Sequence, residues 1–267
     1  MVEPEWLMEH LDDDDLRIVD FRWYLTKKKG RDEYLAGHIP GAVFLELDDV
    51  TGDGSGRHPL PTGAQFEEAM RKAGVSERTR VVAYDDSGGS VAARLWFLLR
   101  WYGHRHQAVL DGGLNAWSGP LDAAAPVVPP GEFTAQPPDR ARILDFEDVV
   151  KLEGTPLLDA RVGERYRGET EPVDPKAGHI PGAVSAPWPD NLAEDGRFKS
   201  PQALRERFQQ LGVEEGQEVV VYCGSGVNAC HDLLALEIAG IRDARLYAGS
   251  WSDWSRRDAP VATGSER

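Results

Sequence analysis

Short β-branched runs alternate along this chain with stretches of helical spacing. Val81-Val82-Ala83-Tyr84 and Val219-Val220-Val221-Tyr222 are apolar throughout, the pattern of strands buried on both faces. Gln65 to Ala73 precedes the first of these runs with helical periodicity, and Ala92 to Trp101 follows it as a nearly all-apolar, buried helix. In the second half, Pro201 to Phe208 opens on proline, which suits a first helical position, and Ala229 to Ala239 is closed by Gly240. Strands that alternate with helices predict an α/β fold in which a mostly parallel sheet carries helices on both faces.

The pattern occurs twice. Ala36-Gly37-His38-Ile39-Pro40-Gly41-Ala42 returns letter for letter as Ala177-Gly178-His179-Ile180-Pro181-Gly182-Ala183. Ile18-Val19-Asp20-Phe21-Arg22 pairs with Leu157-Leu158-Asp159-Ala160-Arg161, and the two apolar runs pair with each other. Asp111 to Trp117 loosely matches Tyr247 to Trp254. Four matches in one order imply two copies of one domain, at 1–120 and 141–267. Residues 121–140 between them are proline-rich and lack apolar periodicity, so a semi-extended linker lying across the surface is expected.

Composition narrows the function classes. Hydrophobic content of 41% and charged content of 28% over 267 residues describe a globular protein with ample chain for a core. A net charge of −15 argues against nucleic acid or an anionic membrane as partner, since phosphates need a basic footprint. No apolar run approaches the roughly 18 residues of a membrane span, and the start at Met1-Val2-Glu3-Pro4 lacks a signal-peptide pattern. Two cysteines suit a reducing compartment, so a cytoplasmic monomer is expected. No metal or other cofactor is expected. The run Asp12 to Asp15 lacks the alternating ligands and glycine turn of a calcium loop and reads as solvated loop.

Cys223 is where the chemistry concentrates. It ends a buried strand and opens Cys223-Gly224-Ser225-Gly226-Val227-Asn228 ahead of a helix. Converging N–H groups and the helix dipole favour an anionic sulfur there, and the two glycines let the loop curl into a nest. Gly224, Gly226, Val227 and Asn228 are therefore the expected binding frame. The repeat places Asp85 where Cys223 stands, so the first copy is expected to be catalytically silent. A cysteine-based phosphatase needs an arginine six residues past its cysteine. Here that residue is Ala229, and a phosphate would lack its bidentate partner. Cys230, inside the helix, is expected to pack in the core, and His38 and His179, shared by both copies, to hold turns.

The doubled Gly-His-Ile-Pro-Gly-Ala motif, Asp159-Ala160-Arg161, the Cys223 loop and Gly249-Ser250-Trp251-Ser252-Asp253-Trp254 resemble the tandem rhodanese-domain sulfurtransferases. The resemblance implies two tandem rhodanese-like domains and a cysteine persulfide. An anionic donor, thiosulfate or 3-mercaptopyruvate, supplies the sulfur, and cyanide or a thiol accepts it. Within the family, Gly-Ser-Gly after the cysteine resembles the mercaptopyruvate-using branch. It implies a relay of Ser225, His58 and Asp48, with Arg165 as the substrate-anion arginine. That branch often has a second arginine nine residues after Arg165. Asp174 stands there instead, and a carboxylate at a peripheral gate is not expected to grip pyruvate. Arg161 is expected either in a salt bridge near Asp159 or in the pocket. A non-enzymatic sulfur relay is the alternative function.

Overall fold

The computed structural model describes residues 1–266 and divides them into two compact units. Unit 1 comprises Met1–Gly52, Leu60–Asp139 and Glu194–Arg197. Unit 2 comprises Asp53–Pro59, Arg140–Ala193 and the described residues from Phe198 onward. The short segment 53–59 thus lies between elements of unit 1 in sequence but belongs to unit 2.

Unit 1 is built on four parallel strands, β1 (Leu16–Asp20), β2 (Val43–Phe44), β3 (Arg80–Tyr84) and β4 (Gln107–Val109), in the order β2-β1-β3-β4. Leu16, Ile18, Val82 and Tyr84 pack with Leu7, Ile39, Leu110 and Trp117 into its core. Helix Gly63–Lys72 is started by a capping box, in which Thr62 accepts from Gln65 N–H and the Gln65 side chain returns to Thr62 N–H. Helix Ala92–Trp101 is buried along nearly its whole length, as its unbroken apolar composition requires. Beyond Trp117 the chain runs without helix or strand to Asp139. It pairs with His38 at Asp122 and buries Phe133 against Phe66.

Unit 2 repeats this plan with one more edge strand. Its strands are β5 (Ile143–Leu144), β6 (Leu157–Asp159), β7 (Val184–Ser185), β8 (Val219–Tyr222) and β9 (Ala244–Tyr247). All are parallel, in the order β5-β9-β8-β6-β7. Leu157, Val220, Tyr222, Tyr247 and Trp251 fill the core. Among the described residues no helix is long and apolar enough to cross a membrane.

The duplicated motifs have a common structural purpose. Asp20 faces Tyr84 across β1 and β3, and Asp159 faces Tyr222 across β6 and β8. Arg22 grips Asp20 and the Gly37 carbonyl, while Arg161 grips Asp159 and the Gly178 carbonyl. Tyr84 and Tyr222 each accept from the isoleucine N–H of the repeated motif, at Ile39 and Ile180. His38 bonds the Tyr34 carbonyl and stacks on that ring at 3.9 Å, and His179 does the same with Tyr166 at 3.8 Å. Each copy thereby ties its Gly-His-Ile-Pro turn to the ends of two neighbouring strands. Both histidines hold turns in the structure.

Candidate active site

Cys223 follows β8, and its loop leads into helix Ala229–Ile238, the carboxyl-end position where parallel sheets bind ligands. The Gly226 N–H donates to Cys223 Sγ at 3.2 Å. Gly226 sits at φ +78°, and a β-carbon there would stand 2.6 Å from the Ala248 carbonyl oxygen, so only glycine completes this turn. Cys230 is fully buried, and its S–H donates to the Gly226 carbonyl at 3.3 Å. Its place is in the core, under the loop.

A second element, helix Ser250–Trp254, holds the Cys223 backbone. Cys223 N–H donates to Ser250 Oγ at 3.1 Å, and that hydroxyl donates to the Tyr247 carbonyl. Trp251 and Ser252 N–H groups donate to the carbonyls of Cys223 and Gly224. Ser250 adopts φ 54°, the one positive φ of a non-glycine among the described residues. A serine in the left-handed region is strained, and here the strain accompanies a direct grip on the Cys223 backbone. Sequence reading recognised the 249–254 motif but missed Ser250, because only its backbone angle and this long-range bond reveal it.

Ser225 and His58 meet. Ser225 Oγ and His58 Nδ1 lie 2.8 Å apart, and both residues are buried. Asp48 lies in the 3-10 turn Leu47–Val50 of unit 1, where it is exposed. Gly224 approaches two guanidinium groups: a β-carbon on it would stand 2.9 Å from Arg57 Nη2 and 3.3 Å from Arg165 Nη1. Val227 is buried, and Asn228 immediately precedes the helix.

Arg165 is braced from behind. Its Nε and Nη2 donate to Glu171, at 3.2 and 2.6 Å, which leaves Nη1 directed toward Gly224. The peripheral gate expected at Asp174 is not what the structure contains. The Asp174 side chain is fully buried and accepts from Arg57 Nη1 at 2.5 Å, with Arg165 and Arg256 at 3.5 and 3.4 Å. An isolated carboxylate would not stay buried, but three arginines around it offset the desolvation. Asp174 is therefore an anchor for cations. Arg161 resolves to the salt bridge with Asp159, its guanidinium also lying 4.6 Å over the Trp251 ring, and Trp251 and Trp254 pack in the core.

Burial disfavours the charged form of two neighbouring groups. Complete burial, with the negative charge of Asp159 adding to it, keeps the Tyr222 phenol far above its ordinary range. Burial likewise pushes the Asp232 carboxyl, on the helix behind the loop, up to about 7, against the opposing pull of Arg207 and an Asn191 hydrogen bond. In unit 1 the equivalent loop is closed on itself. Asp85 accepts the N–H groups of Ser87, Gly89, Val91 and Ala92, each at 2.8 Å, so its own carboxylate occupies the amide nest. Among the described residues no group of three or more His, Cys, Asp or Glu side chains is arranged to hold a metal ion.

Comparison with known proteins places this geometry in context. The model of the rhodanese-like domain matches residues 3–120 and again 143–257. A Pseudomonas aeruginosa protein named as a probable 3-mercaptopyruvate sulfurtransferase is 43% identical, over 99% of this chain and 98% of its own. A Mycobacterium tuberculosis protein, SseB, provisionally named a thiosulfate sulfurtransferase, is 41% identical over 94% of this chain and 92% of its own. The crystal structure of SseA from Escherichia coli, described as a 3-mercaptopyruvate sulfurtransferase with the rhodanese fold, superposes with a TM-score of 0.84. That match has 33% identity and covers 94% of this chain and 98% of that one.

Proposed function

This chain belongs to the rhodanese-like domain family, and from that premise we propose how it moves sulfur. It is a sulfurtransferase, and the reading supported best takes 3-mercaptopyruvate as donor. The Cys223 thiolate attacks the donor sulfur, the carbon–sulfur bond breaks, and the electron pair leaves with carbon as the enolate of pyruvate. The proton released by the donor thiol goes to that carbon, and Cys223 is left as a persulfide. A thiophilic acceptor such as cyanide then attacks the outer sulfur, forming thiocyanate and restoring the thiolate. Covalent catalysis of this kind divides one difficult transfer into two easier ones. The Gly226 N–H beside Sγ, with the other amides of the loop, stabilises the anionic sulfur in both halves.

The observation that carries the donor assignment is the 2.8 Å contact between Ser225 Oγ, in the same loop as the nucleophile, and His58 Nδ1 from the segment 53–59. An enolate must be protonated as it leaves, and a hydroxyl–imidazole pair can carry that proton. Thiosulfate loses sulfite, which needs no proton, although Arg165 would bind its sulfonate as readily as a carboxylate. The filled amide nest at Asp85 supports chemistry once per chain. Two cysteines that form no disulfide suit a cytoplasmic setting.

Steady-state rates with each donor and cyanide, for the parent and Ser225→Ala, test the assignment. Loss of the proton carrier is expected to lower kcat on mercaptopyruvate by roughly a hundredfold and to affect thiosulfate much less. Equal losses on both donors would reject the proton-carrier role and the donor preference with it.

A further inference from the structure

We infer that Arg57 is a second anion-binding arginine of the donor site, an inference that rests on the sulfurtransferase reading above. Position 174, nine residues after Arg165, holds a carboxylate. The structure supplies the cation from elsewhere. Arg57 sits in the segment 53–59 of unit 2, directly before His58, with its backbone N–H on Ser252 Oγ at 3.0 Å. Its Nη1 is fixed by the buried Asp174 at 2.5 Å. Its Nε is buried and has no hydrogen-bond partner. Its Nη2 lies beside Gly224, the residue after the nucleophile, 2.9 Å from where a β-carbon would stand.

A buried guanidinium N–H without an acceptor is costly in a finished structure, and an oxyanion beside Gly224 would give the same guanidinium an acceptor at Nη2. Arg57 and Arg165 converge on the same small residue, each braced from behind by a carboxylate, Asp174 for one and Glu171 for the other. The fork of each is thereby oriented before a ligand arrives. Arg57, Arg165 and Arg256 share only two carboxylates there, so one positive charge is left over locally in a strongly acidic chain. Gly224 has no side chain, and the space that would hold one is bordered by these two cations. The ligand chemistry that fits is a compact oxyanion bonded directly to a reactive sulfur or separated from it by two carbons: the sulfonate of thiosulfate, or the carboxylate of a 3-thio-2-oxo acid.

The test measures KM and kcat with both donors, and competitive inhibition by pyruvate, in the parent, Arg57→Gln and Arg57→Lys. Removing one charge-assisted contact is expected to raise KM and the pyruvate inhibition constant together, roughly ten- to a hundredfold, with kcat nearly unchanged. Lysine keeps the charge without the fork and should fall between the two. The rate at which cyanide discharges a preloaded Cys223 persulfide should not change, because no donor anion is bound in that half. Unaltered KM and inhibition constants in both variants, or a fall confined to kcat, would overturn the inference while the sulfurtransferase reading stood. A parent enzyme that takes up no sulfur at Cys223 would overturn both. Should Arg57→Gln fail to fold, the lysine variant alone decides: parent-like constants for it with pyruvate and both donors would count against a bidentate clamp.

Discussion

Replacing Cys223 by serine is expected to bring thiocyanate production to background with either donor, a loss of at least roughly 10⁴-fold. Serine is nearly isosteric, and its hydroxyl can still accept from Gly226 N–H, so the loop and the fold should survive unchanged. What disappears is the only atom in the nest able to store a sulfur. Oxygen makes no stable equivalent of a persulfide, and a serine hydroxyl is not ionised near neutral pH. Cys230 offers no substitute, because it lies within the helix, outside the loop of amides, with its S–H donating to the Gly226 carbonyl. The readout is the initial rate of thiocyanate formation, with circular dichroism to confirm folding. Near-normal turnover in the serine variant would eliminate the proposed mechanism.

The largest effect on stability is expected at the ion pair that the repeat duplicates. Asp159 and Arg161 are both essentially excluded from water, and the guanidinium makes contacts of 3.0, 3.1 and 2.5 Å to the carboxylate. Asp159→Ala would leave the buried Arg161 without its carboxylate partner, holding the Gly178 carbonyl, a 3.5 Å contact to Glu171 and the Trp251 ring face. Stranding one partner of a buried pair costs about 3–5 kcal/mol, far more than the pair itself contributes. Denaturant melts should show that loss. Asp159→Ala combined with Arg161→Met should recover much of it, since no uncompensated charge then remains. A single-variant loss below about 1 kcal/mol, in the range of an exposed pair, would contradict this description.

The doubled α/β fold was legible because its signals are local or repeated. Val219 to Tyr222 reads as a buried strand from four residues alone, and the Gly-His-Ile-Pro-Gly-Ala motif needs no structure to be seen twice. Helix Ala92–Trp101 falls where its apolar run places it. The two-residue strands β2, β5 and β7 are too short for any periodicity, and they exist because longer neighbours offer them an edge. The position of Cys223 at the end of β8, in a glycine-rich loop before a helix, also follows from adjacent residues. The arrangement around it does not. Arg57 lies 117 residues before Asp174 and His58 lies 167 before Ser225, so only the folded chain shows the first pair. The second was suggested by family resemblance. Asp174 illustrates the difference. As a residue type it reads as repulsion toward an anionic donor, whereas its contacts make it the support of the Arg57 cation beside Gly224.

A sulfur stored on one thiol per chain is the claim on which the mechanism stands. Mixing the parent protein with 3-mercaptopyruvate in the absence of acceptor, then measuring intact mass and mapping the modified peptide, tests it directly. The expected result is a single added sulfur on Cys223 that cyanide removes. No adduct, or an adduct confined to Cys230, would contradict it.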